Sequence, residues 1–100
     1  MKPNQAKAKL ADWGVTLAKQ IRRSDQEPDK WAADTFASIH ELRRFIIKLQ
    51  STSGLVLRKI EKDKALDKLA EVDLWSGENK ACACRRLHEC IMWATQGIQE

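Results

Sequence analysis

Between residues 82 and 90 the chain carries four side chains able to bind metal or to activate one another: Cys82, Cys84, His88 and Cys90. Thiolate and imidazole are donors that zinc prefers, but a structural zinc site needs four of them converging on a tetrahedron. On a helix only Cys84 and His88, four residues apart, share a face. Closing the shell would take a second chain or a broken helix. Small cysteines at core positions are the commoner arrangement, so no metal is expected. Cys84 and His88 are also the beginning of a nucleophile–base couple. Such a couple needs an orienting third group and an oxyanion site. The chain offers no Gly-rich loop and only one other histidine, His40. It reads as a non-enzyme without a cofactor.

Cations make the second constellation. Lys80, Arg85 and Arg86 fall in the first turns of the last helical segment. A helix N-terminus favours phosphate through its free N–H groups and its positive end, and the arginine fork matches phosphate geometry. Trp75 lies just before this segment, and Trp13 and Trp31 lie elsewhere; any of them offers a face for stacking a base. Arg22 or Arg23, supplied by a neighbouring protomer, would complete a site for an anionic ligand. Trp93 lies on an apolar face and reads as core. A recognition helix for duplex DNA is expected to be polar, and this segment is too apolar to lie in a groove.

Composition agrees with an anionic partner. Eighteen Lys and Arg against fourteen Asp and Glu give a net charge of +4 and a pI near 9.1, a mild excess rather than a histone-like one. It is concentrated early, where Lys2, Lys7, Lys9, Lys19, Arg22 and Arg23 face only Asp12 before residue 24. Three clustered cysteines make no disulfide framework and suit a reducing cytoplasm. The segment MKPNQAKAKL has no apolar core of a signal peptide, and no apolar run approaches a membrane span. One hundred residues predict a single domain, 1–100, with a modest core.

Four helical segments position these groups. Leu10, Trp13, Leu17 and Ile21 recur at three- and four-residue steps and predict a helix from about 5 to 23. Gly14 in its middle costs helix propensity and marks a close approach or a bend. Ser24–Lys30 breaks the pattern, and Pro28 suits the first turn of a second helix running to about Gln50. That helix carries a stripe of Phe36, Ile39, Leu42, Phe45, Ile46 and Leu49. A third segment, 55–75, has a weaker stripe of Leu57, Ile60, Leu66 and Leu69. Its charges alternate as Lys59/Asp63, Lys64/Asp67 and Lys68/Glu71, the pattern of a solvated, ion-paired helix. Ser76 is the N-cap expected for the last helix, with Glu78 in its first turn. There Cys84, Leu87, Ile91, Ala94 and Ile98 form one stripe, and Ala83, Cys90, Trp93 and Gly97 an adjoining one, so burial on two sides is predicted. No strand is predicted. The fold class is all-α, a small bundle of about four helices.

The stretch ENKACACRRLHECIMWATQGI resembles the C-terminal motif of small phage proteins that sequester cyclic oligonucleotides, the anti-CBASS sponges, which share a helical hairpin with the Thoeris sponges. The family pattern runs from an Arg-Glu-Lys-like start through Ala-Leu-Thr-Lys-Leu-Glu-Glu-Ala to Met-Met-Trp-Ala-Asn and an Ala-Ile pair. Lys80, Leu87, Glu89, Met92, Trp93, Ala94 and Ile98 stand in matching places. His88, Thr95 and Gly97 depart from it, and residues 51–79 insert a charged helix where a short turn is usual. The resemblance covers about a fifth of the chain. It implies a helical homo-oligomer, hexameric in known members, that binds cyclic di- or trinucleotides between protomers and withholds them, uncleaved, from a host defence effector in an infected bacterial cell. Two other readings stay open: an anti-CRISPR-like helical inhibitor acting by contact with a host defence protein, and a nucleic-acid-associated subunit using its basic first helix.

Overall fold

The computed structural model describes residues 2–23, 28–49, 56–72 and 80–99. They form α1 (Pro3–Arg22), α2 (Pro28–Lys48), β1 (Val56–Leu57), α3 (Lys59–Ala70), α4 (Lys80–Gly97) and β2 (Ile98–Gln99). The architecture is a small all-α bundle. The two strands are a correction to the sequence reading: Val56 pairs with Gln99 and Leu57 with Ile98, antiparallel. Two-residue strands leave no periodicity to read, because their pairing is decided by where the helices bring the chain.

Pro3 opens α1 at a position where its missing N–H costs nothing. The Gln5 side chain accepts the Lys2 backbone N–H at 3.1 Å. A lysine ammonium has no lone pair to return that bond, so only half of a capping box is made. The helix passes Gly14 unbroken. At its end the Arg23 N–H donates to the Gln20 carbonyl at 3.3 Å, and the Trp31 indole N–H, from α2, donates to the same oxygen at 2.7 Å. That bond pins the first turns of α2 to the end of α1.

One continuous core runs through all four helices, with Leu10, Leu17, Ile21, Leu42, Ile46, Leu49, Leu69, Leu87 and Cys90 among its buried members. Each such large aliphatic side chain stabilises the fold by roughly 1.5–3 kcal/mol relative to exposure. Thr35 is buried with them, and its hydroxyl has no partner among the described residues. α4 packs against α3 on one side and α1 on the other. The two apolar stripes of the last helix are thus both used within one chain.

Two expected core positions are not core. Phe36 is 36% exposed and Ile60 is 68% exposed. On α3 the buried face is made by Ala65, Leu69 and the following Val72, one small residue among larger ones, which hides the stripe from a count of large apolar residues. Of the predicted ion pairs on α3 only Lys68–Glu71 closes, at 3.9 Å. Lys68 also reaches Glu89 of α4 at 3.3 Å. Lys64 instead lies over the Trp93 ring, 4.3 Å from its centroid. Lys64 and Lys68 of α3 thus both reach across to α4.

The end of α4 is closed by the turn into α3. The Arg58 N–H donates to the Gly97 carbonyl at 2.9 Å, and the Arg58 guanidinium donates to the Gln96 carbonyl at 2.7 Å. Glu61 holds that guanidinium at 3.2 Å. A helix leaves its last carbonyls without internal partners, and one arginine satisfies two of them here. No helix among the described residues is long and apolar enough to cross a membrane.

Candidate functional site

Small side chains open a groove between α1 and α4. Ala11, Gly14 and Ala18 face it from α1, Ala81 and Cys84 from α4, and Leu87 and Ile91 form part of its floor. At Gly14 the helices come close: a Cβ there would stand 3.4 Å from Ile91 Cγ1. The close approach expected at Gly14 is therefore realised. The groove encloses about 730 Å³, within the range of about 300–1,000 Å³ typical of small-molecule sites.

Its polar edge is cationic. Lys19 and Arg22, one turn apart on α1, meet Arg85 and His88, one turn apart on α4, and among the described residues no carboxylate lines the groove. Lys19, Arg22 and Arg85 make no ion pair with any described residue. Arg22 and Arg85, both singled out from sequence, are thus brought together across one cleft within a single chain, where a neighbouring protomer had been expected to supply Arg22. Lys19 and His88 were missed as site residues. The signal that finds them is a second positive or imidazole group three residues from each arginine.

Arg86 is placed elsewhere. It turns toward α3 and binds Glu71 at 3.1 Å and Glu89 at 3.3 Å. With Lys68 these form a network of two cations and two anions that joins α3 to α4. Successive residues on a helix lie about 100° apart, so neighbours Arg85 and Arg86 necessarily serve different faces. Arg23 is exposed at the α1 C-cap and does not line the groove. Lys80 begins α4. Trp75, with the expected cap Ser76 and Glu78, lies outside the described residues.

The remaining tryptophans are structural neighbours of the core. Trp13, Trp31 and Trp93 are half-buried against it, and none lines the groove. No family model, curated protein or solved structure matches this chain. The three thiols sit in three environments: Cys82 is exposed, Cys84 is half-buried at the groove and Cys90 is buried. Burial pushes the Cys90 thiol up to about 12, so it stays protonated at neutral pH and behaves as a small apolar group. Among the described residues no three His, Cys, Asp or Glu side chains are grouped to hold a metal ion.

Proposed function

We propose that this protein binds and holds a cyclic di- or trinucleotide in the α1–α4 groove, without cleaving it, as a phage anti-defence sponge that withdraws a second messenger from a host effector. The observation that carries this reading is the convergence of Lys19, Arg22 and Arg85 on an apolar-floored groove that no carboxylate among the described residues lines. A cationic pair on α1 and a cation with an imidazole on α4 suit a ligand with phosphates on two edges and an apolar body between them. Arginine is the side chain best shaped for such phosphates.

Holding rather than turnover is favoured by the chemistry within reach. Cys84 and His88 share the groove, yet among the described residues no carboxylate stands there to orient the imidazole, and a nucleophile–base couple without that third group is poorly organised. Bases would rest against the aliphatic floor rather than between tryptophans.

The test is calorimetric titration of the purified protein with a panel of cyclic di- and trinucleotides, with linear dinucleotides as controls. The expected result is saturable binding of a cyclic member that is recovered intact after the protein is denatured. Absence of heat and of any thermal shift across the panel at submillimolar ligand refutes the reading, and recovery of a linear product replaces sequestration with hydrolysis.

A further inference from the structure

Cys84 stands in the middle of the α4 wall of the cleft. Ala81, His88 and Ile91, at steps of three, four and seven from it, line the same cleft, so the thiol lies on the centre line of that face. It is half-buried and faces a space of about 730 Å³. Around it Lys19, Arg22 and Arg85 make no ion pair with any described residue. The acids of the two walls do not offset them. Asp12, the single acid of α1, does not line the cleft. Glu89, the single acid of α4, is held by Lys68 and Arg86.

The other two thiols have different surroundings. Cys82 is exposed, but two residues turn a helix by about 200°, so it lies on the far side of α4 from the cleft. Arg86, one turn beyond Cys82, is bound to Glu71 and Glu89. Cys90 is buried. Only Cys84 combines access, an enclosing cavity and unpaired cations.

We propose that Cys84 is a modification site for small anionic disulfides, and that the adduct fills the cleft. The thiol gives its proton to His88 or to water, and its sulfur attacks one sulfur of the reagent. A new S–S bond joins that half of the reagent to Cys84. The reagent's own S–S bond breaks, and its other half leaves as a thiolate that is protonated by water. Cys84 is oxidised to the disulfide level and the leaving half is reduced to a thiol, so no further oxidant is needed. Carboxylates on the bound half meet Lys19, Arg22 and Arg85 in charge-assisted bonds. Selectivity comes from the field, because a cleft lined by one sign of charge concentrates ions of the other. The modification depends on the cleft alone; its consequence, exclusion of a cyclic nucleotide, rests on the function proposed above.

The reduced protein is treated with glutathione disulfide, which carries more carboxylates than ammonium groups, or with cystamine, which carries ammonium groups only. Peptide mass spectrometry reads the rate at each cysteine. The ratio of the two rates, anionic over cationic, is expected to be at least about tenfold higher at Cys84 than at Cys82 in the same molecule. That excess should shrink at high salt and in Arg22→Gln with Arg85→Gln. Equal ratios at the two thiols, an excess indifferent to salt, or a Cys84 that stays unmodified while Cys82 reacts overturns the proposal. In a Cys82→Ala background, the glutathione adduct should no longer bind the cyclic dinucleotide that the reduced protein binds, and added thiol should restore binding. An adduct that binds as tightly as the reduced protein overturns the filling of the cleft. Selective modification of a protein that binds no cyclic nucleotide in either form upholds the modification site and refutes the function proposed above.

Discussion

Gly97 sits where the turn into α3 crosses the end of α4. A Cβ at this position would stand 2.8 Å from both Glu61 Cβ and Leu57 Cδ1; the first is fixed directly to the backbone, and the second ends a side chain that is itself buried in the core. Gly97→Ala is therefore expected to lower stability by roughly 1–3 kcal/mol, the usual cost of overpacking, read as a lower urea midpoint at unchanged slope; an unchanged midpoint contradicts the packing described. Cys90 makes a different prediction. Its thiol is raised from 9.0 to about 12 by burial. Below pH 9 both states hold the proton and stability has no dependence on this group. Above it the unfolded chain ionises while the folded chain does not, so stability falls as pH rises, by up to about 1.4 kcal/mol per unit. Comparing wild type with Cys90→Ala under reducing conditions at neutral pH and near pH 10 isolates this term, since lysine ionisation is common to both. The wild type should lose more; equal losses contradict a buried thiol.

At the scale of helices, the neighbours Arg85 and Arg86 separate function from architecture. Arg86 ties α4 to Glu71 at the end of α3, but the pair is half-exposed, so Arg86→Gln should cost no more than about 1 kcal/mol. Arg85→Gln should leave the thermal midpoint unchanged, and a larger loss for Arg85 than for Arg86 contradicts the placement of the two side chains. The same helices show what could be read in advance. The steps of Leu10, Leu17 and Ile21 were enough to place α1, and Pro28 to start α2. Ile60 misled because it continues the spacing of Leu57 and yet faces water, the chain having turned from strand to helix between them. Arg86 could not be told from Arg85 by type or by position at the helix start. Only the packing of α3 beside α4 decides which arginine finds a carboxylate.

For the whole molecule, the net charge of +4 understates how unevenly charge is arranged. Glu71 and Glu89 are drawn into the α3–α4 network, and among the described residues the charged side chains that line the α1–α4 groove, Lys19, Arg22 and Arg85, are all cations. Long-range pairing of residues 22 and 85 is a property of the fold and was invisible to any window of the sequence. The most direct test of the account is the affinity of a cyclic dinucleotide for wild type, Arg85→Gln and Arg86→Gln, measured side by side by calorimetry. A charged hydrogen bond of about 1.5–3 kcal/mol corresponds to roughly a 10- to 150-fold change in Kd. Arg85→Gln should weaken binding by that amount and Arg86→Gln by less than about threefold. Equal losses in the two variants, or a wild type that does not bind, would contradict the groove as the ligand site.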